Sequence, residues 1–189
     1  WEGVLLEGLA ALGLVAVPIF LFHSGGFLVY ALQGKDLKRA YRTIAVGLLH
    51  MIVPYLIWSI VFYVLIFALL DQRYSLPEYL KNLAVGYPYN FVPLVVCFYV
   101  ISPFLIPLAA RHPRLVLLAI GAYQLFTATV LRPDMLGIAL PEWARYLTIP
   151  GLRLSIALWG VFFPMGVVFG LRAKEWIRAV GGMWWLLAV

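Results

Sequence analysis

The chain has 189 residues, of which 65% are hydrophobic and only 12% are charged, and its mean hydropathy is +0.98. These values exclude a soluble globular domain and indicate an integral membrane protein. The formal net charge of +6 does not point to nucleic acid, because no basic patch interleaved with aromatic residues occurs outside the short turns between apolar segments.

Long uncharged stretches of the sequence predict helices that cross a membrane. A hydrocarbon core of roughly 30 Å takes about 20 helical residues, and apolar stretches of about that length recur along the chain. Since they lack the alternating polar and apolar residues of barrel strands, we expect an all-α, polytopic transmembrane helical bundle with about five complete spans and one truncated span. The predicted spans cover residues 8–34, 43–70, 82–110, 115–131, 147–171 and, in part, 179–189.

Two connecting segments carry patterns of their own. Ser75-Leu-Pro-Glu78 has the form of a capping box, and apolar residues then recur at helical spacing, which predicts a short amphipathic helix on the external interface. Residues 132–146 contain two prolines, a glycine, Trp143 and Tyr146. That composition is typical of a re-entrant or interfacial loop with an aromatic anchor at the membrane surface.

The distribution of charge predicts the orientation of the bundle. Turns 35–42, 111–114 and 172–178 each carry an excess of lysine and arginine, whereas the alternate connections are neutral or acidic. The positive-inside rule therefore places these three turns in the cytoplasm. Because the chain opens without methionine and stops within an apolar run, we expect residues 1–189 to be a single transmembrane domain and an internal fragment of a larger membrane protein.

Two histidines lie at membrane depth, where an unsatisfied polar side chain is costly. His23 precedes and His50 follows the basic turn 35–42 by similar lengths of helix, so their depths differ by only a few Å. Antiparallel neighbouring helices would present both imidazoles to one cavity open to the cytoplasm, where a neutral imidazole can accept a hydroxyl proton. The alternative is that each histidine only hydrogen-bonds a neighbouring helix.

Small residues and arginines near these histidines extend the candidate site. Ser24 and Gly25 remove side-chain bulk, which permits either close approach of another helix or access of a ligand to the backbone. Arg39 and Arg42 are candidates for binding the phosphates of a cytoplasmic donor, because guanidinium presents a fork of donors suited to phosphate. Ordinary cytoplasmic turns carry the same residues, so orientation alone also explains them.

Other patterns predict structure rather than chemistry. Gly166 and Gly170 give the fifth span a small-xxx-small face that is typical of a helix contact. The single cysteine, Cys97, has no partner for a disulfide or a thiolate site, and the sequence has neither metal-ligand spacing nor a phosphate-binding loop. We therefore predict no metal site and a packing role for Cys97.

The order of four segments carries a family resemblance. Residues 17–28 read Val-Pro-Ile-Phe-Leu-Phe-His-Ser-Gly-Gly-Phe-Leu, and they are followed by Arg39-x-x-Arg42 and by Val-Pro-Tyr-Leu-Ile-Trp-Ser at 53–59. Residues 76–86 then lead to Phe-Tyr-Val-Ile-Ser-Pro at 98–103, and Phe-Phe-Pro-Met-Gly-Val-Val-Phe-Gly occupies 162–170. This order resembles the integral-membrane acyltransferases of the acyltransferase 3 type, which modify surface polysaccharides and lipids.

The resemblance implies transfer of an acyl group, expected to be acetyl, from cytoplasmic acyl-CoA to a hydroxyl of a cell-surface glycan or lipid at a bacterial inner (plasma) membrane. Acyl-CoA is then the donor substrate, and no bound cofactor is expected. The expected partners are membrane lipid and a glycan or lipid-linked acceptor but not nucleic acid, and the oligomeric state is open. Our site candidates are Arg39 and Arg42 for the donor, Ser24, Gly25 and His50 for the cavity, and His23 for a supporting catalytic role.

The sequence departs from the family pattern in two ways. The extra glycine in Ser24-Gly-Gly-Phe27 leaves open which glycine matches the family's Ser-Gly-Phe. The family also places its catalytic histidine on a preceding helix, which would lie before Trp1, so we expect the main histidine upstream and this fragment alone to be inactive. The alternatives are a fragment of a multi-pass transporter or permease, with helices broken by proline and glycine, and a purely structural bundle.

Overall fold

The structure is a computed structural model that describes residues 2–85, 91–135, 137–138 and 140–181. These residues form helices joined by short turns and contain no β-strand, which confirms the all-α prediction. The α-helices of the described residues are α1 (Glu2–Leu32), α2 (Leu37–Leu70), α3 (Leu76–Val85), α4 (Phe91–Arg111), α5 (Pro113–Leu131), α6 (Arg153–Trp159), α7 (Phe162–Leu171) and α8 (Ala173–Gly181). Two 3-10 helices, Pro133–Met135 and Glu142–Leu147, lie between α5 and α6.

The described helices confirm a membrane-spanning bundle. Helices α1, α2, α4 and α5 are each long and apolar enough to cross a membrane, and α6 with α7 makes a fifth span if the bent pair crosses as one. The third span begins later than predicted, because residues 76–85 form the separate helix α3 and α4 starts at Phe91. Most of the predicted partial span 179–189 lies outside the described residues.

Helix α2 lies at the edge of the bundle. Only four of its 34 residues are buried, and the large apolar side chains of Trp58 and Leu69 are 61% and 77% exposed. An apolar surface of this extent is unfavourable in water but is solvated by acyl chains in a bilayer. The exposed faces of α2 therefore fit an integral membrane protein.

Helices α1 and α7 pack with their backbones in direct contact. A Cβ added at Gly166 would collide with the carbonyl group of Phe22, and one added at Gly170 would lie 2.9 Å from the carbonyl oxygen of Gly26. Only glycine permits this approach, because any larger residue would force the helices apart. The predicted helix contact of the Gly166 and Gly170 face is confirmed.

The fifth span is broken between α6 and α7, whose axes differ by 50°. Pro164 causes the break, because it lacks an N–H group and its ring would clash with the carbonyl of Gly160 in a straight helix. Gln124 of α5 fills the gap: its amide nitrogen donates to the carbonyl of Ala157 at 3.2 Å, and its Oε1 accepts the N–H of Val161 at 2.7 Å. A regular helix would join those two backbone groups to each other, so the side chain replaces one helical hydrogen bond.

Helix α3 matches the predicted short helix and is attached to α2. Glu78 accepts hydrogen bonds from the backbone N–H and the Oγ of Ser75, both at 2.8 Å, which forms the carboxylate half of the predicted capping box. Because the backbone bond and then the hydroxyl bond favour the ionised form, the pKa of Glu78 lies below its ordinary value. The Tyr55 phenol donates to the carbonyl of Leu83 at 2.8 Å and ties the end of α3 to α2.

The predicted interfacial loop 132–146 is built around the two 3-10 helices, and its described residues contain no α-helix. Trp143 and Tyr146 are both largely exposed. Their rings are accessible to a membrane surface, and their role as an anchor stays a prediction.

Candidate functional site

A cavity of about 710 Å³ lies at the end of the bundle that carries the basic turns. It is enclosed by the end of α1, the junction of α7 with α8, and Ile106 of α4. Pockets that bind small molecules and cofactors typically have volumes of roughly 300–1,000 Å³. The amide and charged residues in the wall of the cavity are Gln33, Arg172, Lys174, Glu175 and Arg178.

Two chain reversals shape this cavity. After α1, Gly34 adopts the left-handed conformation with a φ of +71°, which favours glycine and lets α2 start directly. After α7, the N–H groups of Glu175 and Trp176 donate to the carbonyl of Arg172, which begins α8 at once. As a result, charged residues of α8 share a wall with the end of α1.

The cavity carries an excess of positive charge. Arg172, Lys174 and Arg178 line it together with one acidic residue, Glu175. Arginine offers a planar fork of donors to phosphate, and lysine adds a compact charge. Among the residues that the structure describes, no three His, Cys, Asp or Glu side chains are grouped to hold a metal ion. The cavity is therefore suited to an anion such as a phosphate group.

A smaller groove of about 140 Å³ lies next to this cavity, between α1 and α7. The cavity and the groove share Tyr30 and Gly170 in their walls, and the groove extends to His23. From Leu32 to His23, α1 rises by about 14 Å at 1.5 Å per residue. The two spaces therefore lie side by side, one at the basic end of the bundle and the other reaching His23 at membrane depth.

The two histidines lie in different surroundings. His23 is exposed on α1, with its ring centroid 6.0 Å from that of Phe22 and 6.1 Å from that of Phe27. His50 is exposed on α2, and the groove lined by His23 does not include it. The structure therefore does not bring the two imidazoles together in this groove, although the sequence predicts that they share one cavity.

Ser24 and Gly25 are buried between helices. An added side chain at Gly25 would collide with the carbonyl of Phe163 and lie 3.0 Å from the backbone nitrogen of Val167. Ser24 precedes Gly25 in α1 and is also buried, with 9% of its surface exposed. Both residues serve helix packing, which is one of the two uses that the sequence predicts, and by fixing α1 against α7 they position the groove.

Arg39 and Arg42 are exposed at the start of α2, at the same end of the bundle as the cavity but not in its wall. Asp36 accepts the backbone N–H of Arg39 at 3.2 Å, and its carboxylate also lies 3.7 Å from the Arg39 Nε. The Lys35 ammonium donates to the hydroxyl of Thr43 at 2.8 Å. The structure therefore places the two arginines on the surface of this end, where a ligand can reach them.

Two parts of this arrangement are not identified by the sequence. The charges of turn 172–178 indicate orientation, but only the fold brings them against the end of α1. Gln124 is an amide within an apolar span, and a polar side chain at membrane depth is the signal that marks such a position. Its hydrogen bonds to the broken fifth span become visible only in the structure.

The comparison with known proteins identifies the family of the chain. No curated protein and no solved structure matches the chain. The family model of the acyltransferase 3 type, described as an acyltransferase domain, matches residues 1–189, which include all four segments of the resemblance. The chain therefore belongs to the acyltransferase 3 family of integral-membrane acyltransferases.

Proposed function

We propose that the protein transfers an acyl group, in the simplest case acetyl, from a cytoplasmic acyl-CoA to a hydroxyl of a cell-surface glycan or lipid. The observation that carries this proposal is the basic cavity lined by Arg172, Lys174 and Arg178, which lies next to a groove that reaches His23. Coenzyme A carries phosphates at one end and a thioester on a narrow arm at the other. A wide basic cavity beside a smaller groove suits both its charge and its shape.

In this proposal the donor phosphates bind to the three cations, and the thioester arm lies in the groove. The acceptor oxygen attacks the thioester carbonyl carbon, its proton passes to a base, and the carbon–sulfur bond breaks so that coenzyme A leaves as the thiol after protonation. His23 is the candidate to support these proton transfers, while the main histidine is expected from the family resemblance on a preceding helix. Arg39 and Arg42 are candidates for a further contact with the donor outside the cavity.

Binding of acetyl-CoA to the full-length protein in nanodiscs tests the donor site. We expect Arg172→Ala and Arg178→Ala each to weaken binding roughly tenfold, because each removes a charge-assisted hydrogen bond. The matched control is Arg132→Ala, because Arg132 is exposed and follows the end of α5 that is remote from the cavity. This variant should leave binding unchanged. If Arg39→Ala and Arg42→Ala weaken binding and the Arg172 and Arg178 variants do not, the donor binds at turn 35–42 and not in the cavity.

Acyl transfer is measured as release of free coenzyme A from acetyl-CoA in membranes that contain the natural acceptor. His23→Gln should lower the rate of release while donor affinity is retained, because glutamine hydrogen-bonds but does not exchange a proton near neutral pH. Accumulation of an unmodified substrate in vesicles without release of coenzyme A would overturn the proposal in favour of transport.

A further inference from the structure

A crevice of about 610 Å³ lies near the end of α2 that is remote from turn 35–42, between α2 and the segment that leads into α3. From Arg42 to Tyr63, α2 rises by about 32 Å at 1.5 Å per residue. That rise matches the roughly 30 Å thickness of the hydrocarbon core. The crevice therefore lies one membrane thickness from the basic turn, at the opposite surface.

Three tyrosines line this crevice together with four apolar residues, Ile60, Val64, Phe67 and Leu76. The ring of Tyr63 meets that of Tyr74 edge to face with centroids 5.0 Å apart, and it meets that of Tyr79 in the same way at 4.8 Å. Each tyrosine combines an apolar ring with a hydroxyl that donates and accepts hydrogen bonds. Gln72 adds an amide to the wall, whose Oε1 accepts from the Tyr74 hydroxyl at 3.5 Å.

The charge of the crevice distinguishes it from the donor cavity. Arg73 is the one charged residue among the described residues that line it. Its guanidinium lies over the Phe67 ring at 5.4 Å, and its Nε is 3.9 Å from the carboxylate of Asp71. A single cation with an acidic neighbour offers little to a phosphate-bearing headgroup, so the crevice is suited to a neutral ligand.

We propose that this crevice binds the carbohydrate part of the acceptor, at sugar units remote from the reacting hydroxyl. A neutral sugar ring presents carbon–hydrogen faces to aromatic rings and hydroxyls to amide and phenol groups, which is the combination that Gln72, Tyr74 and Tyr79 provide. The inference rests on the proposed function for the identity of the acceptor. Binding remote from the chemistry raises the affinity for the acceptor without contributing a catalytic group.

Saturation-transfer NMR on the full-length protein in nanodiscs tests the crevice. The probes are neutral oligosaccharides of glucose, galactose and N-acetylglucosamine, with phosphatidylglycerol as a competitor. We expect binding of at least one oligosaccharide, weakened roughly three- to tenfold by Gln72→Ala and by Tyr79→Phe through loss of a hydrogen bond. Both variants retain the tyrosine ring packing, and Tyr146→Phe, at an 87% exposed tyrosine outside the crevice, is the matched control.

The outcomes separate this inference from the proposed function. No binding of any oligosaccharide, equal binding by every variant, or displacement of the sugar by phosphatidylglycerol would each overturn the crevice as a carbohydrate site. If acetyl-CoA still binds and coenzyme A is still released in that preparation, only the crevice inference fails. If the oligosaccharide binds as expected and acetyl-CoA does not, the carbohydrate site in the crevice is supported and the proposal of acetyl-CoA as the donor is wrong. A melting temperature for each variant excludes loss of folding as the cause of weaker binding.

Discussion

At the scale of single residues, Gln124 is the side chain on which the shape of the fifth span depends. Its amide satisfies the carbonyl of Ala157 and the N–H of Val161, which a straight helix would join to each other. Replacement by an apolar residue would leave both backbone groups without a partner at membrane depth. The residue therefore connects the local sequence of one span with the packing of its neighbour.

We expect Gln124→Leu to lower the free energy of unfolding by about 1–3 kcal/mol, since both hydrogen bonds are lost together. Unfolding of the purified protein by SDS titration measures the loss. Leu125→Ala is the control on the same helix, because that side chain is 57% exposed and its truncation removes little packing. A loss for Gln124→Leu no larger than for Leu125→Ala would show that the amide does not stabilise the break.

Ser59 is a different kind of buried polar residue. Its side chain is fully buried in α2, and among the described residues its Oγ has no hydrogen-bond partner. Since an unsatisfied buried hydroxyl is destabilising, Ser59→Ala should be neutral or should raise the free energy of unfolding by up to about 1 kcal/mol. The same SDS titration measures it, and a clear loss of stability would show that the hydroxyl is satisfied in the bilayer.

At the scale of elements, the contact between α1 and α7 aligns the walls of the groove. Gly166→Ala should destabilise the protein by about 1–3 kcal/mol, because its Cβ meets the Phe22 backbone and the helices must separate. Gly121→Ala in α5 is the matched control: no atom lies within 4 Å of an added Cβ, so it should be neutral or slightly stabilising. Thermal unfolding measures both, and equal effects would contradict the close packing of α1 on α7.

Helix α3 has a pH dependence that follows from its first turn. Glu78 is ionised when it accepts the two hydrogen bonds of Ser75, so its pKa is lowered from an ordinary value of 4.5. Because the folded pKa is below the unfolded one, this stabilisation is complete above about pH 4.5 and is lost as the pH falls through the lower, folded pKa. The effect is local, since the carboxylate is exposed and screened by water.

Hydrogen exchange of the α3 amides, corrected for intrinsic rates, measures this dependence. Protection should fall as the pH drops below 4.5 in the native protein, and Glu78→Gln should show reduced protection at neutral pH with no further loss in that window. Glu142→Gln, in the other connecting segment, is the control. Unchanged α3 protection in Glu78→Gln would contradict a role for the carboxylate in starting the helix.

At the scale of the whole molecule, the sequence predicts the number and order of spans well and the site only in part. Long apolar helices are required in a bilayer whatever their partners, so spans such as α2 and α5 follow from composition. Contacts between helices depend on which neighbours the fold supplies. Local pattern therefore could not predict the hydrogen bonds of Gln124 to the fifth span, or the contact of residues 172–178 with the end of α1. It did indicate, through Gly166, that a helix contact exists.

The orientation of the bundle decides whether the basic cavity can meet acyl-CoA at all. The positive-inside rule predicts that turns 35–42 and 111–114 lie in the cytoplasm and the loops around Lys81 and Arg132 lie outside. Residues 1–189 contain one cysteine, Cys97, which is partly buried in α4, so Cys97→Ala, with replacement of any cysteine elsewhere in the full-length protein, gives the background for single labelling sites.

In that background, Lys38→Cys should be protected from a membrane-impermeant maleimide added to intact cells, and Arg132→Cys should be labelled. Permeabilised cells provide the control that both thiols are reactive. Labelling of Lys38→Cys from outside would show that the bundle has the opposite orientation. Arg172, Lys174 and Arg178 would then lie on the external side, because they share a cavity with the residues that precede α2. Coenzyme A thioesters are cytoplasmic, so that single result would contradict both the orientation and the donor site.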